Sequence, residues 1–317
     1  MGIPRGTARL LLEETRRRPF SGSVLQLGRS SIYLTEHELR RWAKKHGVEL
    51  RDTGEVELSH DPRLAQQGCL GDRTFFASLG FDRVEACDIS DWEGAEHIFD
   101  LNEPVPDDLH GRFDAIVDPG SILQIFHQPN VLKNFHDLTK VGGRIIHAGV
   151  PSNNHVDLGF YMFSPTFFDD FYRANNYQVE YLYICTYVPY WHLGRLRSTP
   201  WKVYRYEPGC LDHLNYGRYG GRQTSVFMVA TKKAESTGDV VPQLGQFVRS
   251  WQTYEERRDD PDAVAGELET LTGVAATFER FMLGHPGWSR IYSPLKGFKE
   301  RVRRLLPQKM PPLIGKY

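Results

Sequence analysis

The sequence predicts an α/β fold: a largely parallel sheet with helices on both faces. Three observations carry this. Short apolar runs of strand length alternate with longer runs of helical spacing. Successive runs end at Gly28, Asp88, Asp100 and Asp118. Residues 113–118 (FDAIVD) and 144–150 (RIIHAGV) are apolar almost throughout, as strands covered on both faces are.

The elements follow in order. Residues 23–27 (SVLQL) form a strand that ends at Gly28. Residues 35–46 have helical spacing through Leu39, Trp42 and Ala43, with Thr35 as N-cap and Glu38 as its capping-box partner. Residues 61–79 are helical with breaks near Gly68 and Gly71. Strands are expected at 83–87, 96–99 and 113–118, then a helix at 130–138. Gly142 and Gly143 turn the chain into the strand 144–150. Ser164 caps a helix over 164–175, with Pro165 at its first position. Two late strands fall at 179–184 and 225–231.

Residues 187–222, between the late strands, hold eight aromatics, six Lys/Arg and two acids. The segment exceeds a hairpin loop and reads as a lid, a substrate-recognition insert or an oligomer contact. Past Lys233 the composition shifts, with a linker at 236–239 and helices at 246–256 and 262–283. Residues 290–317 carry eight Lys/Arg against one Glu. The division expected is a main domain over 1–233 and a helical, basic extension over 240–317.

The 317 residues are 40% hydrophobic and 25% charged with net charge −1, ordinary for a globular protein and unlike a bulk polyanion binder. Four cysteines without a CxxC pair argue against a zinc site, and Cys87 and Cys185 read as core. The Arg-rich start lacks secretory character, and no apolar run reaches the ~20 residues of a membrane span. The expected location is the cytoplasm.

The landmarks together resemble the class I S-adenosylmethionine-dependent methyltransferases. The run FDAIVDPGSILQIFHQPNVLKNFHDLTKVGGRIIHAGVPSN, then FYMFSPTFFDDFY, is similar to a bacterial branch associated with glycan and natural-product pathways. The resemblance spans residues 21–233. It implies a Rossmann-like sheet, mostly parallel with an antiparallel last strand, plus the aromatic insert and the helical extension. It implies S-adenosyl-L-methionine as cofactor and S-adenosyl-L-homocysteine as product.

In such a sheet, ligands lie outside the carboxyl ends of the strands, where strand order switches. The expected cofactor residues are Gln26, Gly28 and Arg29 after the first strand, Asp88 and Ile89 after the second, Asp100 and Leu101 after the third, and Asp118 after the fourth. Asp88 suits the ribose hydroxyls, and Asp100 the adenine edge. Gln26 stands where the family commonly has an acid, and Arg29 and Ser30 stand where it has further glycines. About 60 residues separate Gly28 from Asp88, pointing to an insertion around 47–67. After Asp118 this chain reads Ile122-Leu123-Gln124 where relatives read Leu-Glu-His.

His155 and Asp118 are the expected catalytic residues, since a loop imidazole can take a hydroxyl proton. His147, within a strand, reads as a satisfied core histidine. Substrate contacts are expected from His127, Tyr161, Tyr190, Trp191, Arg195 and Trp201, the insert's aromatics and arginines serving equally as a dimer interface. No metal is called for.

The implied activity is methylation of a hydroxyl on a glycan, nucleotide sugar or natural product. The rival is a non-catalytic binding or assembly protein on a degenerate scaffold. A nicotinamide enzyme is disfavoured by the missing GxGxxG, and nucleic-acid methylation by the absence of a basic groove. The expected partner is a small-molecule or glycan substrate. Homodimerisation and contact of the basic C-terminal stretch with an anionic membrane surface remain open.

Overall fold

The computed structural model describes residues 2–192, 195–198, 200–211, 214, 221–245, 247–248, 251–252, 255 and 310–317. The elements in chain order are β1 (Gly2–Ile3), α1 (Arg5–Arg17), β2 (Ser23–Leu27), β3 (Ser31–Ile32), α2 (Glu36–His46), α3 (Pro62–Ala65), α4 (Asp72–Ser78), β4 (Arg83–Asp88) and β5 (His97–Ile98). They continue with β6 (Phe113–Asp118), α5 (Gln128–Leu138), β7 (Thr139–Asn153), α6 (Pro165–Ala174), β8 (Gln178–Tyr187), β9 (Pro189–His192), β10 (Arg195–Ser198), β11 (Lys202–Arg205), β12 (Gln223–Thr231) and β13 (Leu313–Lys316).

Among the described residues nine strands form one sheet in the order β13-β11-β8-β12-β7-β6-β2-β4-β5. The pairs among β5, β4, β2, β6 and β7 are parallel, and β12 runs antiparallel between β7 and β8. The protein is thus a mixed α/β fold around a large central sheet. Side chains alternate along each strand. Val24, Ala115, Val117, Ile146, Ala148 and Phe227 join the leucines of α1 and the phenylalanines of α4 in one core. On the other face, His147 of β7 meets Phe135 of α5 and Phe168 and Tyr172 of α6.

Local chemistry explains the helix ends. Thr35 and Glu38 make the reciprocal capping box, and Gly47 closes α2 in the left-handed region at φ 66. The interrupted stretch 61–79 resolves into α3 and α4. Ser164 occupies the N-cap of α6, but its hydroxyl bonds to Thr166 Oγ1 rather than to a backbone N–H.

The structure departs from the sequence reading in several places, among them the segment 187–222, whose strand β11 joins the central sheet beside β8. Helix α1 was not anticipated: Ala8, Leu11, Leu12 and Thr15 recur at helical spacing on its buried face. Gly142-Gly143 is no turn between elements, because β7 begins at Thr139 and bends at Gly142, φ 81. The division at 233/240 also shifts. One compact unit comprises residues 1–208, 221–242 and 311–317, and the other 209–220 and 243–310. Residues 311–317 belong to the first because β13 pairs with β11. The helices expected over 246–256 and 262–283, and most of the basic stretch 290–317, lie wholly or largely outside the described residues. No described helix is long and apolar enough to cross a membrane.

A buried ion pair fastens α1 to the sheet. Arg144 on β7 donates to Glu14 Oε1 at 2.5 Å and to the carbonyls of Arg18 and Pro19. Its guanidinium also lies 4.2 Å from the ring centre of Phe20. Tyr181 donates to the other Glu14 oxygen, and burial next to that carboxylate raises the phenol's pKa. Removing one partner of such a pair strands a charge in a dry interior. Glu14→Ala should therefore lower unfolding stability by about 3–5 kcal/mol in a urea titration. A loss under about 1 kcal/mol would show that the pair does not fasten α1.

Candidate functional site

The strand order reverses between β2 and β6, so the crevice at their carboxyl ends is where this architecture admits a ligand. Gly28 leaves β2 with φ 69, in the left-handed region that suits glycine. Its N–H donates to the Cys87 carbonyl at 2.8 Å, which pins the turn to β4. A Cβ built on Gly28 would enter the space towards Asp88 Oδ2, at 3.4 Å, and Ser121 Oγ, at 3.9 Å. Ser121 closes the β6 side by donating to the Leu27 carbonyl at 2.6 Å. Asp88 Oδ1 accepts from Ser90 N at 3.2 Å, while Oδ2 faces Gly28. The half-buried Asp88 carboxylate, the bare α-carbon of Gly28 and the Ser121 hydroxyl thus share one edge. Ile89 stands at the lip, 68% exposed.

Gln26 and Arg29 do not face this crevice. The Arg29 guanidinium forms a two-pronged pair with Asp72 at the start of α4, Nε to Oδ2 at 2.6 Å and Nη2 to Oδ1 at 2.7 Å. Both side chains are buried, at 6% and 0% exposure. Gln26 donates to the same carboxylate and accepts from Ser30 N at 3.0 Å. The expected ligand contacts are therefore corrected to a supporting role, because both polar ends are spent inside the protein. Asp72 went unnoticed in the sequence. The available signal was Arg29 itself, since a buried arginine requires a carboxylate partner.

Asp118 is likewise corrected. It is fully buried, and its Oδ1 accepts from Gly120 N at 3.0 Å and Ile122 N at 3.2 Å. Its Oδ2 lies 2.9 Å from His147 Nδ1, and His147 Nε2 lies 2.7 Å from the Tyr172 hydroxyl. A carboxylate only accepts, which places a proton on Nδ1 facing Asp118. Burial raises the Tyr172 phenol well above its ordinary pKa. This chain shapes the turn after β6 and touches no crevice.

Asp100 forms a turn, its Oδ1 accepting from the backbone and side-chain nitrogens of Asn102, both at 2.8 Å. Leu101 is buried, with its carbonyl accepting from Asn130 and Asn134. Asn102 in turn accepts from Phe126 N and His127 N, which holds the exposed His127 at the start of α5. The Tyr161 hydroxyl donates to the Phe126 carbonyl at 2.8 Å, so Tyr161 forms wall rather than a free polar contact.

His155 follows β7 and belongs to a second cluster. Its Nε2 is 3.4 Å from the Tyr187 hydroxyl, which is 3.0 Å from Ser225 Oγ. Burial lowers the imidazole pKa, and it pushes the Tyr187 phenol up to about 12. Among the described residues no contact joins His155 to Gly28 or Asp88. Trp201 is core rather than substrate wall: it stacks on Tyr187 at 4.7 Å and lies against Gly6 and Gly149, whose missing side chains make room for it. Tyr190, Trp191 and Arg195 lie on the antiparallel pair β9 and β10, where Arg195 pairs with His192 and Trp191 with Leu196. Their side chains fall outside the described residues.

No protein-family model matches the chain, and no curated protein sequence matches it. Among solved structures it is similar to a SAM-dependent methyltransferase from Thermotoga maritima, at 16% identity over 72% of this chain and 90% of the other, TM-score 0.33. It is also similar to the 1,6-didemethyltoxoflavin-N1-methyltransferase of Burkholderia thailandensis, solved with bound 1,6-didemethyltoxoflavin and S-adenosylhomocysteine. That match has 15% identity over 72% and 79% of the two chains, TM-score 0.29.

The pair at Asp72 yields a test. Asp72→Ala should cost about 3–5 kcal/mol of stability by urea unfolding. The double change Arg29→Leu with Asp72→Leu should recover more than half of that, since no charge is then left buried. A double variant as unstable as the single one would mean that the charges are not what the loop depends on.

Proposed function

We propose that this protein is an S-adenosylmethionine-dependent methyltransferase acting on a hydroxyl of a small acceptor, a glycan, nucleotide sugar or natural product. The observation that carries the reading is the placement of Gly28 beside Asp88 at the reversal in strand order. Numbered in chain order, strands β2, β4, β5, β6, β7, β8 and β12 read 3-2-1-4-5-7-6 across the sheet, with the seventh antiparallel. This resembles the class I arrangement.

The residues fit the cofactor. The space above the bare α-carbon of Gly28 is bounded by an open carboxylate and a hydroxyl, and a side chain at Gly28 would fill it. Asp88 would accept the ribose hydroxyls, Ile89 would cover an apolar ring face, and Asp100 and Leu101 would border the base. When bound, the cofactor supplies an electrophilic methyl group on a sulfonium. The chain's own work is to align the acceptor oxygen and to remove its proton. His155 would take that proton: burial lowers its imidazole pKa, which favours the neutral, proton-accepting form.

Calorimetric titration with S-adenosylhomocysteine tests the reading. The protein should bind in the micromolar range, and Asp88→Ala should weaken binding about tenfold or more. Absence of heat at millimolar ligand would overturn it. A second test follows from His155. A base with a depressed pKa stays deprotonated to lower pH, so activity should persist below the ordinary imidazole range and fall only as pH passes the lowered value. His155→Ala should remove that acidic limb, and an unchanged pH profile would take the base role from His155.

A further inference from the structure

We infer that a cavity beside the crevice is a binding subsite for a neutral polyhydroxylated ring, that is, a sugar. This deepens the reading above and rests on it for the link to methyl transfer. The cavity is about 560 Å³, within the range that holds a small ligand. Three segments wall it. Ser31 comes from the chain just past the Gly28 loop, His60, Asp61 and Arg63 from the start of α3, and Trp92 and Glu93 from the turn after β4.

The chemistry of this wall is mixed in a specific way. Trp92 is 90% exposed, so its indole offers a broad apolar face to whatever enters. Around it stand the carboxylate of Glu93 as acceptor, the Ser31 hydroxyl and His60, each of the last two able to donate or accept, while Asp61 and Arg63 are paired with each other. A sugar ring matches this set: its C–H face is apolar, and each hydroxyl both donates and accepts. An anionic group matches poorly. It would meet two carboxylates, and the guanidinium of Arg63 is already engaged, with Nη2 2.9 Å from Asp61 Oδ2 and Nε 3.2 Å from Oδ1.

His60 stands behind the carboxylate of this wall, with its Nε2 3.7 Å from Glu93 Oε1. The wall is also held in place. Arg29, fixed by Asp72, donates from Nη1 to the Glu93 and Gly94 carbonyls, each at 3.4 Å. Gly94 N donates to the Asp91 carbonyl at 2.9 Å and closes the turn at φ 72. The buried pair that shapes the loop after β2 therefore also positions the turn that carries Trp92.

The test uses the full chain and a panel of neutral sugars: glucose, galactose, mannose, rhamnose and N-acetylglucosamine. Binding is read by saturation-transfer NMR and tryptophan fluorescence, with S-adenosylhomocysteine calorimetry in parallel. At least one sugar should saturate by about 50 mM. Trp92→Ala should weaken it about tenfold, Trp92→Phe should retain it, and neither should shift the S-adenosylhomocysteine affinity. Trp92 is exposed enough for both variants to fold. Saturation by no sugar, or equal binding by Trp92→Ala, overturns the subsite. Sugar binding without S-adenosylhomocysteine binding would leave the subsite standing and remove the methyl-transfer reading. The converse would do the opposite.

Discussion

The carboxylate of Asp72 is the constraint on which the ligand-facing edge depends. It accepts from both prongs of Arg29 and from Gln26, and none of its surface is exposed. Through these bonds one side chain joins β2, the loop after it, the start of α4 and, by way of the Arg29 guanidinium, the turn after β4. A glycine-rich loop at this point would be shaped largely by what it binds. Here the loop has one glycine, and a dry ion pair sets its course. Such a pair gains little net stability over well-packed apolar residues, but a single displaced partner leaves a buried charge, so alternative loop conformations are heavily penalised. The result is a Gly28 α-carbon presented to the crevice before any ligand arrives.

Much of the sheet was legible from pattern alone. The strand at 113–118 and the capped helix ending at His46 rest on local chemistry: continuous apolar burial in one, a Thr-x-x-Glu box and a closing glycine in the other. What escaped was set by distant partners. Helix α1 has no side-chain cap, and its identity depends on burying Leu11 and Leu12 against the sheet. The strand β13 gains its place only by pairing with β11, more than a hundred residues away. Candidate site residues followed the same rule. The sequence order put Gly28 and Asp88 at the ends of neighbouring strands, where they stand, but which way Gln26 and Arg29 point depended on Asp72, 43 residues beyond Arg29.

Three aspartates make the point sharply. Asp72, Asp88 and Asp118 all sit at the ends of regular elements, and as letters in a sequence they are equivalent candidates. Their neighbours separate them. Asp72 meets a buried guanidinium and becomes a structural anchor. Asp118 faces two backbone N–H groups and an imidazole that is itself bonded to Tyr172, so both its oxygens are consumed in shaping a turn. Asp88 spends one oxygen on Ser90 and turns the other towards the space above Gly28. A carboxylate can serve a ligand only with the accepting capacity that the fold leaves unspent. By that measure Asp88 is the acid of this edge that keeps an oxygen turned to the space above Gly28. The two carboxylates that the fold exhausts are what hold the loop and the turn on either side of it.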